Sequence, residues 1–296
     1  MKAVAIRNAA VALGLFDGVH LGHRAVLAAA AEQKNNGLKP CAFTFPPEST
    51  AKKGAAGYIY GNTEKNYIIE NECAIERIYS PPFAELCGMD GETFAREILC
   101  GEMGAAFVCC GSDFRFGTRA SCGLAELAGF GSRYGFTVKA VDDVYCSGKR
   151  VSSTEIRSLI ESGDIAGANR FLGAPYIIMN EVSHGAALGR TIGFPTANQV
   201  FGTGQLVPKY GVYASQVTID GICYSSMTNI GIKPTVEYGG APLAETYIHG
   251  FSGDIYGRNI RTQLLRFIRP ERRFSSVDEL RKQIAADVSA AVGSEN

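Results

Sequence analysis

Apolar and polar positions fall into two textures that change near residue 175. In the first half, short apolar runs at 11–15, 41–45, 105–110 and 136–144 read as buried strands. Helical spacing follows: 23–33 sets Val26, Leu27 and Ala30 on one face, and 92–100 and 124–134 read alike. Such alternation predicts an α/β unit, a parallel sheet with helices on both faces. Ser152 and Glu155 have capping-box spacing ahead of Ile156, Leu159 and Ile160, and Gly163 ends that helix. A second helix over 164–172 stops at Gly173, with Pro175 behind it. This punctuation predicts two domains, 1–175 and 176–296.

Beyond Tyr176, β-rich runs at 211–219, 222–230, 244–249 and 259–268 are separated by Gly, Pro, Asn and Asp. That spacing predicts a small antiparallel barrel or sandwich. A C-terminal helix follows, capped at Ser276 with Glu279 three residues on, turning Val277, Leu280, Ile284 and Val288 inward. Residues 46–104 carry little readable pattern.

Charge changes the picture by exclusion. The 296 residues hold 29 basic and 29 acidic side chains, so nothing suggests a nucleic-acid partner, whose phosphates call for clustered Lys and Arg. No run approaches the ~20 apolar residues of a membrane span, and the N-terminus lacks an export-type apolar core. Nine dispersed cysteines without a C-x-x-C pair read as free thiols. A cytoplasmic location is expected. Glycine, 35 of 296 residues, signals many tight loops.

The densest chemistry lies in Gly14-Leu15-Phe16-Asp17-Gly18-Val19-His20-Leu21-Gly22-His23, between the first strand and the first helix. Glycines there let backbone approach an anion, and a helix N-terminus aims free N–H groups at it. His20 and His23 can donate to phosphate oxygens. H-x-x-H alone is equally a pair of helix-capping residues, and zinc finds no third and fourth ligand at a usual spacing. With its glycine-rich turn, the string resembles the first signature of the nucleotidylyltransferase superfamily. The form G-x-F-D-G-x-H-x-G-H resembles that of the bacterial bifunctional riboflavin kinase/FAD synthetase family.

Further strings carry the same resemblance. Gly111-Ser112-Asp113-Phe114-Arg115-Phe116-Gly117 is similar to the family's G-x-D-F-x-F-G, which implies flavin and nucleotide contacts for Asp113, Phe114 and Phe116. Ser152-Ser153-Thr154-Glu155-Ile156-Arg157 resembles S-S-T-x-I-R, implying triphosphate contacts from the hydroxyls and from Arg157. Gly189-Arg190-Thr191-Ile192-Gly193-Phe194-Pro195-Thr196-Ala197-Asn198 resembles the riboflavin kinase motif. On an extended segment Thr196 and Asn198 point the same way, and neutral oxygens suit a Mg²⁺ bound to ATP phosphates. Glu245-Thr246-Tyr247 is similar to E-T-H with Tyr247 in place of histidine, and Arg269-Pro270-Glu271-Arg272-Arg273-Phe274 resembles R-x-E-x-x-F.

The resemblance spans roughly 11–45, 105–175 and 185–288, with Glu64-Lys65 matching a family E-K. It implies a nucleotidylyltransferase-type sheet followed by a kinase barrel, acting on riboflavin, FMN and ATP. Catalytic roles are implied for Glu245, His20, His23 and Arg157. Binding roles are implied for Gly14, Phe16, Asp17, Gly22, Asp113, Phe114, Phe116, Ser152, Ser153, Thr154, Gly189, Arg190, Gly193, Pro195 and Arg269. Metal ligation is implied for Thr196 and Asn198. One departure stands out: Glu48 falls where the family shows a histidine, a negative charge near a triphosphate if it points into the site. The rival readings are a kinase with an impaired adenylyl domain and a flavin-binding regulator without catalysis.

Overall fold

All five residues of β1 (Ala9–Leu13) are buried, because the strand lies mid-sheet with helices on either face. The computed structural model describes residues 8–50, 57–183, 189, 192–232 and 240–293. The chain divides into two compact units, Met1–Ser153 and Thr154–Asn296.

In the first unit β1 is followed by α1 (Leu21–Ala31), β2 (Lys39–Phe43), α2 (Pro47–Thr50), α3 (Asn62–Tyr67) and β3 (Arg77–Tyr79). Then come α4 (Phe83–Leu86), α5 (Gly91–Thr93) continuing in π geometry over Phe94–Glu102, β4 (Ala105–Gly111), α6 (Leu124–Tyr134) and β5 (Thr137–Val141). A hairpin of β6 (Tyr145–Cys146) and β7 (Lys149–Arg150) ends the unit. The sheet order is β3-β2-β1-β4-β5, and every pair is parallel. Ala9, Val11 and Leu13 pack with Phe94, Leu99 and Leu127 on one face. On the other, the Cys109 thiol bonds the Val26 carbonyl of α1 at 3.3 Å. The strand order reverses between β1 and β4, so the crevice beyond their C-terminal ends is the natural ligand position of an open α/β sheet.

The second unit takes in α7 (Ser153–Ser162), apart from its first residue, and α8 (Ile165–Leu172). Asn169 ties α8 to the sheet that follows, donating to Leu264 O and accepting from Tyr176 N, both at 2.8 Å. Six antiparallel strands have the order β8-β13-β10-β11-β12-β9: β8 (Tyr176–Ile178), β9 (Thr196–Val200), β10 (Gly211–Ile219), β11 (Ile222–Ile232), β12 (Pro242–Ile248) and β13 (Arg261–Arg269). The sheet curls until the segment after β8 meets β9. There Asn180 donates to Val200 O at 2.8 Å and Ser183 N to Asn198 O at 2.9 Å.

Inside the curl, Ser215, Ser226, Thr228 and Thr246 form a buried hydroxyl chain with links of 2.8–2.9 Å. The outer face packs on α9 (Val277–Val292), capped by Ser276 as the sequence predicts. Val277 corrects one expectation: it is 56 % exposed, since the inward face of α9 starts a turn later with Leu280 and Ile284.

Candidate functional site

The loop after β1 is built from conformations that side chains resist. Phe16 (φ 52) and Val19 (φ 39) lie on either side of Gly18 (φ 83). A β-branched residue there is a genuine outlier, costing of order 1–3 kcal/mol. The neighbours over-determine this turn. An Asp17 carboxylate oxygen accepts from Ile59 N at 2.8 Å, and the Asp17 carbonyl accepts from Ser153 Oγ at 2.9 Å. Gly14 and Gly22 leave room where a Cβ would meet the Phe16 ring at 2.7 Å and the His20 ring at 3.3 Å.

His20 caps α1: its Nδ1 accepts from His23 N at 3.3 Å. A neutral His20 therefore carries its proton on Nε2. The two imidazoles stack with centroids 3.6 Å apart, and Phe16 meets His23 edge-on at 5.5 Å. His23 Nδ1 is buried with no partner among the described residues. Burial lowers the His20 pKa to about 4, with Arg150 adding a repulsive charge. Burial, His20 and Lys65 hold His23 well below 6.5. Both rings are neutral donors at pH 7.

This has a consequence for acid stability. Between about pH 4 and 6.5 the unfolded chain binds a proton at His20 that the folded chain refuses, so stability falls as pH drops through that window. His20 alone contributes about 3 kcal/mol of this loss. Urea unfolding of the first unit at pH 7 and pH 4.5 measures it, and His20→Gln should flatten the difference. An equally steep dependence in the variant would refute the assignment.

Lys65 is the residue that sequence reading undervalued. It is 1 % exposed, and its Nζ donates to Thr44 Oγ1 at 3.1 Å and to Phe45 O. Burial pulls its pKa down to about 8 against the opposing pull of Asp17 and Glu48. Glu48 itself is exposed on α2, within the field of this ammonium. Asp113, in the loop after β4, is held by Arg150 Nη2 at 2.8 Å, and Arg150 also reaches Asp143. Phe114 and Phe116 stack at 5.8 Å; Phe116 is core and Phe114 half-buried at its edge. Ser152 and Ser153 close the first unit, while Thr154 and Arg157 lie on α7 in the second.

In the second unit, register assembles a site from four strands. Asn198 of β9 pairs with Glu245 of β12, Glu245 with Asn229 of β11, and Asn229 with Val212 of β10. Directly opposed residues share a face. Thr196, Tyr247, Met227 and Ala214 form the adjacent row. Over these rows lies a cavity of about 240 Å³, walled by Glu245, Thr196 and Asn229 below and by Leu280, Ile284 and Asp287 of α9 above. Asn198 Oδ1 is buried and unpartnered among the described residues. Phe194 packs edge-on against Tyr247 at 5.3 Å, next to exposed Pro195 and Gly193.

Arg269 also lines this cavity, but its guanidinium grips the Asp287 carboxylate with bonds of 2.6–3.1 Å and caps Pro270 O at 2.9 Å. Asp287 is a second residue that pattern did not reveal. Gly189 approaches Phe194 O so closely that a Cβ would collide with it. Arg190 lies outside the described residues.

Comparison with known proteins assigns a family to each half of the chain. Residues 3–155 match the FAD synthetase family and residues 172–294 the riboflavin kinase family. A bifunctional riboflavin kinase/FMN adenylyltransferase of Haemophilus influenzae is 33% identical, over 97% of this chain and 94% of that protein. The Escherichia coli K12 protein of the same name is 34% identical over 93% and 89%. A crystal structure titled a macrolide-efflux protein, from Streptococcus pneumoniae, is similar with a TM-score of 0.80 at 28% identity, over 98% of this chain and 99% of that one. Among the described residues no helix is long and apolar enough to cross a membrane. Two family matches in tandem, and relatives aligned over nearly their whole length, have one reading: this chain belongs to the bifunctional riboflavin kinase/FMN adenylyltransferase family.

Proposed function

We propose that the chain's two activities, phosphorylation of riboflavin to FMN and adenylylation of FMN to FAD, are performed by separate sets of residues. Phosphorylation belongs to the cavity over the β9–β12–β11 row. Glu245 accepts the proton of the flavin hydroxyl, whose oxygen takes the γ-phosphoryl group of ATP as ADP leaves. Thr196 and Asn198 are the residues that would hold Mg²⁺, and an unpartnered, buried Asn198 Oδ1 fits a hard cation. Such an ion neutralises charge on the phosphate oxygens. Gly189, Arg190, Gly193, Pro195 and Arg269 frame the flavin and nucleotide, Arg269 by fixing α9 through Asp287.

Adenylylation belongs to the turn after β1. An FMN phosphate oxygen attacks the α-phosphorus of ATP, the α–β bridge breaks and pyrophosphate leaves. His20 and His23 donate to the phosphate oxygens as charge develops, with Ser152 and Ser153 as further phosphate contacts. Gly14, Phe16, Asp17 and Gly22 shape the turn; Asp113, Phe114 and Phe116 form the flavin side. We place the enzyme in the cytoplasm, with small molecules as its partners.

The observation that carries this reading is the register placing Asn198 beside Glu245, with the amide oxygen left unpartnered among the described residues. Asn198→Ala tests it. FMN formation should fall by about a hundredfold or more, on the scale of a lost charge-stabilising contact, while supplied FMN is still converted to FAD. Equal loss of both activities in a folded variant would contradict separate sites.

A further inference from the structure

A lysine with 1 % exposure is a costly feature, since burial disfavours its charged form. Its position shows what it serves. Lys65 reaches the C-terminal end of β2, where Nζ donates to Thr44 Oγ1 and to the Phe45 carbonyl. Thr44 Oγ1 in turn donates to Leu15 O at 2.9 Å, inside the turn that carries Asp17, His20 and His23. One ammonium thus joins the loop after β1 to the loop after β2. Asp17, Glu48 and His23 all lie within its field.

We propose that Lys65 is a positioning residue for adenylyl transfer: through Thr44 and Phe45 it fixes the H-x-G-H turn against the Pro46–Glu48 segment. This rests on the reading that the His20–His23 turn is the adenylyl site. Lys65 contacts no substrate; it acts through the two loops. The turn it braces contains Phe16 and Val19 at positive φ, a conformation that relaxes unless its neighbours hold it. The charge also offsets Glu48, which explains how a carboxylate is tolerated at that position.

Stability and activity should separate when Lys65 is replaced. Methionine keeps the length and fills the space, and it removes the cost of burying an ammonium while leaving Phe45 O without its donor. These effects oppose, so the Lys65→Met unfolding midpoint should stay within about 3 °C of the parent. The kcat for FMN adenylylation should nevertheless fall roughly tenfold or more. Riboflavin phosphorylation, measured on the same sample, should change by less than about twofold and reports that the rest of the chain is intact.

Thr44→Val supplies the second arm. It keeps the ammonium and severs the link to Leu15, so it should lower adenylylation by a smaller factor. The double variant should be no worse than Lys65→Met alone, because both changes break one chain of contacts. An unchanged adenylylation kcat in folded Lys65→Met, or in Thr44→Val if the lysine variant does not fold, would overturn the proposal. So would a loss matched by an equal loss of kinase activity. His20→Ala, assayed alongside, keeps the two readings apart. If it retains full FAD formation the site assignment fails, whereas a slow His20→Ala beside a normal Lys65→Met refutes only the role of Lys65.

Discussion

Glu245→Gln should lower riboflavin phosphorylation by about 10²- to 10⁴-fold, the range over which a positioned general base acts. Glutamine keeps the shape and the cross-strand places opposite Asn198 and Asn229 but cannot take up the hydroxyl proton. The flavin should still bind, since the aromatic and apolar walls of Phe194, Tyr247, Leu280 and Ile284 are untouched. The loss should therefore appear in kcat, with KM for riboflavin changing little. FMN adenylylation, assayed with FMN supplied, should proceed at the parental rate. A fall of less than tenfold would mean that another group takes the proton.

The second large effect is expected at His20, where two roles can be told apart. His20→Ala removes both the cap on α1 and the Nε2 donor, so it should cost about 1 kcal/mol of stability. It should also slow FAD formation by 10²- to 10³-fold, the effect of losing one such donor. His20→Asn restores a side-chain acceptor for His23 N but not the donor. It should recover most of the stability and little of the rate. Recovery of both would show that His20 serves only to start the helix.

The sequence made some parts of this molecule plain and hid others for physical reasons. β1, α1, β4 and α6 announce themselves because a buried parallel strand is continuously apolar and its covering helix is not. The strands β10, β11 and β13 lie within a few residues of expectation for the complementary reason, since turn residues punctuate a small barrel. β3 was missed: three residues, Arg77–Tyr79, give no period to detect. β9 spells Thr-Ala-Asn-Gln-Val, extended as its motif predicts though poor in apolar residues; its polar residues are buried because one face meets the cavity and the other, through Gln199, bonds Asn180 O and Ile260 O.

The same holds for the sites. The glycine-histidine turn and Asn198 were legible through resemblance; Lys65 was legible only as half of a matched Glu-Lys pair, because its string Asn-Thr-Glu-Lys-Asn-Tyr carries no apolar pattern that signals burial. Only tertiary packing makes it an internal cation. Asp287 is hidden similarly, as an acidic residue among alanines whose partner, Arg269, lies on a strand eighteen positions earlier.

That Arg269–Asp287 pair makes the C-terminal helix more than a cover. Because α9 supplies one wall of the cavity proposed for phosphorylation, its docking and the filling of that cavity form a single thermodynamic cycle. A ligand that fits only the docked form fastens the helix by the same factor that the docked helix tightens the ligand. At a hundred times its dissociation constant such a ligand adds about 2.7 kcal/mol to the closed state. If the cavity takes flavin as proposed, flavin binding and the docking of the helix reinforce each other.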